Sequence, residues 1–310
     1  MITVIGEALI DIIVGPDGEV RTAAIGGAPL NTTRTLSRLG VRASFLGGVS
    51  TDVFGRRIMR MLESDGVHLA LGHQVSEPTT LAIAELDDSG AATYRFVYEG
   101  TSATAITPSM ARAALDQLPE PGTAIHAGTL GLVFQPLADA TRAVIAEASD
   151  DCLVMIDPNC RPAVMGEHTA FRPTLDAVLE RADVVKVSAD DLMFLMPGSE
   201  PADAARELQR SSSAVILFTD GSRSVRVLAA GVERELPVPK VSVVDTVGAG
   251  DAFSGGFLAD WTRRGLTRRD LTDVDALVRA AMLGITVASM TCQQAGAQPP
   301  FLADLPAEGH

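Results

Sequence analysis

The sequence predicts an α/β fold, a central and mostly parallel sheet with helices on both faces, in one domain over residues 1–310 with a small β element beside it. Short apolar runs bounded by turns recur and alternate with segments of helical spacing, the pattern of a parallel sheet covered on both sides. Polar residues stand just after these runs, where open parallel sheets bind their ligands. Two further stretches alternate about glycine-containing turns and read as β-hairpins.

Residues 1–5 form a short apolar strand that delivers Gly6, Glu7 and Asp11. Residues 12–25 alternate around Gly15-Pro16-Asp17-Gly18, the first hairpin. Gly26-Gly27-Ala28-Pro29-Leu30-Asn31 then precedes residues 32–39, whose spacing suits a helix stopped by Gly40. Residues 43–47 are the next strand, and 79–98 alternate around Asp87-Asp88-Ser89-Gly90 as the second hairpin. Strands follow at 123–126, 152–157, 184–187 and 215–219. Asp157 and Asn159, Ser188 and Asp191, and Thr219 and Gly221 come directly after the last three. On pattern alone the hairpins are edge strands of the main sheet or a separate element.

The most informative stretch is Val244-Asp245-Thr246-Val247-Gly248-Ala249-Gly250-Asp251. The β-branched run 241–244 reads as a strand, followed by a glycine turn and a helix. Such a turn aims backbone N–H groups at one point and makes an anion site. A carboxylate beside that nest makes sense if Asp251 takes a proton from a hydroxyl while the nest holds the phosphoryl group it attacks. A Walker loop is excluded, because neither Lys186 nor Lys240 follows a glycine. A dinucleotide fingerprint would need glycine at 253, which is Phe. The plain alternative is a turn with Asp251 as a helix cap.

Composition narrows the classes. The three cysteines, Cys152, Cys160 and Cys292, form no C-x-x-C pair, which argues against a disulfide scaffold or a zinc site. No basic region precedes the first apolar run, and no uninterrupted apolar segment is long enough to cross a bilayer, so a cytoplasmic protein without a membrane partner is expected. A net charge of -14 disfavours nucleic acid.

Taken together, Gly26-Gly27 with Asn31 and the run from Asp245 to Asp251 resemble the signatures of the ribokinase-like, PfkB-type carbohydrate kinase family. Between them, Gly47-Gly48, Asp157-Pro158-Asn159-x-Arg161 and Thr219-Asp220-Gly221 follow in the family's order. The resemblance covers nearly the whole chain and implies the ribokinase-like fold. In it the hairpins, about residues 12–25 and 72–100, form a lid over the sugar that also serves as a surface for a homodimer.

It also implies roles. Asp251 is the general base and the amides of Gly248, Ala249 and Gly250 stabilise the transferring phosphoryl group. Asp11, Gly26, Gly27 and Asn31 bind the sugar, with Arg95 and Tyr98 on the lid and Arg161 beside them. Ser188, Thr219, Gly221, Ser222 and Gly250 lie on the ATP side. Four positions depart from the family: Asp220 replaces an apolar residue, Ser224 stands where a second glycine is common, and Ser188 and Asp191 stand where Asn-x-x-Glu is usual. Asp191 is thus the expected Mg²⁺ carboxylate, on a shorter arm that hydrated Mg²⁺ can bridge through water. Asp245, the Val247 carbonyl and the Gly296 turn match a monovalent cation (K⁺) site.

The implied activity is an ATP-dependent sugar kinase acting on a primary hydroxyl, and Gly26 to Asn31 with the segment 94–102 look most like bacterial fructokinases. Fructose therefore ranks first, ahead of 2-keto-3-deoxygluconate, ribose and nucleosides, with Arg95 and Arg161 able to clamp a ketoacid. A catalytically inactive sugar- or nucleotide-responsive binding protein is the reading from a different class.

Overall fold

The computed structural model describes residues 1–166, 171–212 and 214–306. The chain opens with β1 (Ile2–Ile5), β2 (Leu9–Val14), β3 (Val20–Gly26), α1 (Ala28–Arg38), β4 (Ala43–Leu46) and α2 (Val53–Ser64). Next come β5 (His68–Leu69), β6 (Thr80–Leu86), β7 (Ala92–Val97), α3 (Pro108–Asp116), β8 (Ala124–Gly128), α4 (Leu137–Ala146) and β9 (Leu153–Asp157). Then follow α5 (Pro162–Met165), α6 (Arg172–Leu179), β10 (Val184–Ser188), α7 (Ala189–Leu195), α8 (Pro201–Ser212) and β11 (Val215–Thr219). The hairpin of β12 (Ser224–Ala229) and β13 (Val232–Pro237) leads to α9 (Ala249–Arg263) and α10 (Val274–Thr291).

Nine strands form the large sheet in the order β13-β12-β11-β10-β9-β8-β1-β4-β5. It is parallel from β5 to β11 and antiparallel at the β12–β13 edge. Successive side chains of a strand point to opposite faces, and the packing follows that period. Val154 and Ile156 of β9 join the core beneath α3, α4, α6, α7 and α8. Leu153 and Met155 join the core with α1, α9 and α10. An apolar run here means a strand buried on both sides, as expected for a parallel sheet.

The two hairpins do not extend the large sheet. They combine into a separate sheet of four strands, β3-β2-β6-β7, in which β2 runs parallel to β6. This sheet begins at Leu9, earlier than expected, so Asp11 lies within a strand and not before one. The pleat gives it two different faces. Leu9, Ala82 and Phe96 pack with Leu130 and Phe134, whereas Ile10 and Ile12 pack against Ile58 and Leu62 of α2.

Two expectations are corrected. Residues 241–244 form no strand, because Pro237 ends β13 and β-branched residues need a partner edge to pair. Their contact is a single bond, Val244 N–H to the Cys292 carbonyl at 2.8 Å, followed by Asp245 N–H to the same oxygen. And one helix, α10, is long and apolar enough by length and composition to cross a membrane. Its Leu277, Ala280, Ala281, Ile285 and Val287 are buried against α9 and the sheet, which accounts for its apolar character.

Candidate active site

Gly248 begins α9 in the left-handed region (φ 77°), which turns the chain sharply and lets Ala252 N–H bond back to the Gly248 carbonyl at 2.8 Å. A side chain would be strained there. Asp251 follows in the first turn and is 6% exposed. Asn31, from the first turn of α1, donates from Nδ2 to its Oδ2 at 2.9 Å, and Thr32 Oγ1 donates to its carbonyl at 3.3 Å. Burial pushes the Asp251 carboxyl up, while the Asn31 bond and the charges of Lys186 and Arg161 oppose that rise. A carboxylate so raised is a better proton acceptor near neutral pH than a free one.

Asp11 lies against the α-carbon of Gly26, where any side chain would collide with its carboxylate. Gly27 has φ 111°, and a methyl group on it would stand 2.5 Å from the Glu7 carbonyl. The paired glycines are thus held between β2 and the end of β1, with Asn31 one turn beyond. Burial pushes the Asp11 carboxyl up to about 6, with Arg161 opposing and Asp251 adding to it. Oδ1 of Asn31 is buried with no partner among the described residues, as expected of an acceptor waiting for a ligand hydroxyl.

Arg161 does not pair with Asp157. Its Nη1 donates to Asn159 Oδ1 at 2.6 Å, and its charge favours the ionised forms of Glu7, Asp11 and Asp251. On the lid, Phe96 stands across from Ala82 and Asp11 on one face. Tyr98 is stacked on Phe134, centroids 4.1 Å apart and planes within 6°. Arg95 does not join them. It pairs across with Ile83 and Ile12, on the face away from Asp11, and is ion-paired to Glu85 at 3.1 Å. The two-residue strand period forbids Arg95 and Phe96 from sharing a face.

Two residues of the site were not singled out from sequence. Lys186 is 4% exposed in the middle of β10, with Nζ 3.0 Å from Asp157 Oδ2 and 2.9 Å from where a side chain on Gly250 would begin. Burial pulls its ammonium down, but Asp157, Asp191 and Asp251 outweigh this and raise it. The available signal was a lysine inside the apolar run Val184-Val185-Lys186-Val187 in a chain with two lysines. Glu7 is 1% exposed, with Oε2 unpartnered among the described residues, and burial pushes its carboxyl up to about 8. Burial, with the charge of Asp251 adding to it, thus favours the protonated form of Glu7.

On the nucleotide side, Thr219 Oγ1 donates to the Val187 carbonyl at 3.4 Å, and Gly221 and Ser222 form the exposed β11–β12 turn. Asp220 is bound by Arg223. Ser188 and Asp191 make a capping box for α7, and Asp191 also accepts from Cys160 N–H at 2.6 Å. Oδ1 of Asp191 accepts from Cys160 and Oδ2 from the amide and hydroxyl of Ser188. No group of three or more acidic, His or Cys residues able to hold a metal occurs among the described residues. Asp245 joins two loops, accepting from Val247 N–H at 3.0 Å and Gly296 N–H at 2.8 Å.

Residues 1–304 match the pfkB family of carbohydrate kinases. A fructokinase of Rhizobium leguminosarum bv. trifolii is 31% identical over 282 residues, 89% of this chain and 84% of that protein. The structure of a fructokinase from Xylella fastidiosa with bound ATP superposes with a TM-score of 0.85 at 25% identity, covering 98% of this chain and 96% of that one. An aminoimidazole riboside kinase from Salmonella enterica gives 0.79 at 25% identity, covering 96% and 94%. With the paired glycines, Asn31 and Asp251 assembled in one cleft, this chain belongs to the pfkB family of carbohydrate kinases.

Proposed function

We infer that this chain is an ATP-dependent sugar kinase that transfers the γ-phosphoryl group to a primary hydroxyl of fructose. The observation that carries the reading is the Asn31–Asp251 hydrogen bond, which holds a buried carboxylate in the first turn of α9, next to the glycine turn. The fructokinase relatives and the ATP-bound neighbour support both substrates.

Asp251 accepts the proton of the attacking hydroxyl. The amides at the start of α9 take up charge on the phosphoryl group, in a reaction where positioning outweighs strong proton abstraction. Lys186, against Gly250, adds a cation on the same side. Asp11 accepts from adjacent sugar hydroxyls, and Asn31 Oδ1 offers another acceptor. Mg²⁺, when bound with the nucleotide, neutralises phosphate charge, and K⁺ behind the nest at Asp245 and the Val247 carbonyl would steady it.

Charge favours a neutral sugar over a ketoacid. Arg95 lies on the far face and Lys186 is held by Asp157, while Asp11, Asp157, Asp191 and Asp251 crowd the cleft. A substrate carboxylate would depend on Arg161 against that field. A nucleoside base is disfavoured too, since Phe134 already covers one face of Tyr98.

The test is sugar-dependent ADP release over a panel of fructose, ribose, tagatose, 2-keto-3-deoxygluconate and adenosine. Fructose is expected to give the highest kcat/KM, because a site built around particular hydroxyls rejects analogues lacking them by ~10⁴. A ketoacid preference lost in Arg161→Ala would reassign the acceptor. No release with any sugar would return the chain to a binding role.

A further inference from the structure

Arg34 is 2% exposed on the second turn of α1, and its bonds lead away from the sugar. Nε donates to Oδ2 of buried Asp65 at 2.7 Å, and Nη1 donates to the Ala297 carbonyl at 2.9 Å. Arg38, one turn on, takes the other Asp65 oxygen at 2.9 Å and the Pro299 carbonyl at 2.7 Å. Asp245 holds the same segment from its other end through Gly296 N–H. Ala297 is then pressed against the start of α9: a methyl group on Gly248 would stand 2.5 Å from the Ala297 methyl carbon.

A buried guanidinium costs several kcal/mol unless it is fully paired, and an apolar residue would pack α1 without that cost. Asp65 accounts for the charge. It does not account for a second bond aimed at a carbonyl of the 296–299 turn, 263 positions away in sequence. That bond, and the seating of Ala297 on Gly248, join Arg34 to the amide nest. Asn31, three residues earlier on the same helix, reaches Asp251. Helix α1 thus fixes the carboxylate and the nest from one rigid element.

We propose that Arg34 is a positioning residue for phosphoryl transfer, holding the Ala297 carbonyl so that the turn seats Gly248 and sets the Gly248–Gly250 amides relative to Asp251. The proposal rests on the sugar kinase reading. Its action is on the transferring group, so it bears on kcat and leaves sugar affinity alone.

The test uses Arg34→Lys, which keeps the charge beside Asp65 but replaces a planar fork with a point ammonium that cannot span both partners. Expected results are a kcat lower by roughly 10–100-fold, the scale for small misplacement of reacting groups, with sugar Kd within about twofold. Amide hydrogen exchange over 246–252 is expected to quicken. Arg38→Lys, which loosens the same ion cluster and the Pro299 end of the turn without touching the Ala297 carbonyl, is expected to cost kcat much less than Arg34→Lys. Ala297→Gly keeps Arg34 intact but removes the methyl against Gly248, and should lower kcat if Arg34→Lys proves unstable. Unchanged kcat and exchange in folded Arg34→Lys, unchanged kcat in Ala297→Gly, or equal kcat losses in Arg34→Lys and Arg38→Lys would overturn the proposal. If the wild-type chain releases no ADP with any sugar, the kinase reading fails instead, and the exchange comparison still reports whether Arg34 sets the nest.

Discussion

Asn31 and Asp251, 220 positions apart, meet through a 2.9 Å hydrogen bond from Nδ2 to Oδ2. The bond fixes the direction of the carboxylate by a donor from the first turn of α1, so on the proposed reading the base is aimed by the element that recognises the acceptor.

Asp251→Asn is expected to fold and to bind sugar, with kcat lower by roughly 10²–10⁴, the range for a lost general base. Calorimetric sugar binding beside steady-state turnover checks this. Near-normal turnover would remove Asp251 from the role.

Lys186 and Asp157 should separate stability from chemistry. Lys186→Met leaves Asp157 buried without a counter-charge, an imbalance worth about 3–5 kcal/mol. Adding Asp157→Asn should restore much of the stability seen in denaturant melts, yet leave kcat depressed, because no cation stands against Gly250. Recovery of kcat in the double variant would make Lys186 a structural partner only.

Glu7 gives a stability-versus-pH signature. Its carboxyl is raised from 4.5 to about 8 by burial, so the folded chain holds a proton that the unfolded chain releases between those values. The stabilisation is complete below pH 4.5 and is lost as pH rises through about 8. Glu7→Gln removes the unfolded-state ionisation and should raise the unfolding free energy at pH 8 by an amount on the order of a few kcal/mol, seen as a higher Tm there, with little change at pH 4.5. Parallel Tm curves for the two chains across that range would contradict it.

Asp11 should be ionised for sugar binding, so kcat/KM should fall as pH drops through about 6, and the upward-shifted Asp251 carboxyl should add a second proton to the acid limb. In Asp11→Ala the slope should drop to one proton, with a loss of about 2–5 kcal/mol in kcat/KM. A two-proton limb surviving in Asp11→Ala would point to another carboxylate.

Exchanging K⁺ for a bulky organic cation at constant ionic strength should slow turnover if the Asp245–Gly296 junction steadies the nest through a bound ion. Equal rates in the two buffers would show that the loops are held by Asp245 alone.

The sheet was readable because each buried parallel strand is a continuous apolar run, and the site was readable where glycine and carboxylate fall at the ends of those runs. The separate small sheet was half legible. Hairpin turns at Gly15–Gly18 and Asp87–Gly90 announced its strands, but the parallel pairing of β2 with β6 depends on contacts 71 residues apart, such as Ile12 with Ile83. Arg95 was drawn toward the substrate by its neighbours Phe96 and Tyr98, and only register shows that it faces the other way. Asp191 matched by position, yet its hydrogen bonds to Ser188 and Cys160 come from packing that spacing does not report. Lys186 was hidden because a charge inside an apolar run reads as an interruption until Asp157 is seen beside it.

Asp11 sits in the middle of β2, paired on one side with β3 and on the other with β6. On the proposed reading, the small sheet that covers the sugar and one of the sugar's hydrogen-bond acceptors are therefore a single piece of polypeptide. A chimera that transplants the small sheet from a relative would import that relative's substrate preference along with its shape, and a deletion meant to leave an open, promiscuous cleft would discard a recognition group with the roof. On that reading, selectivity would be inherited through the strands of the small sheet as much as through the pocket floor.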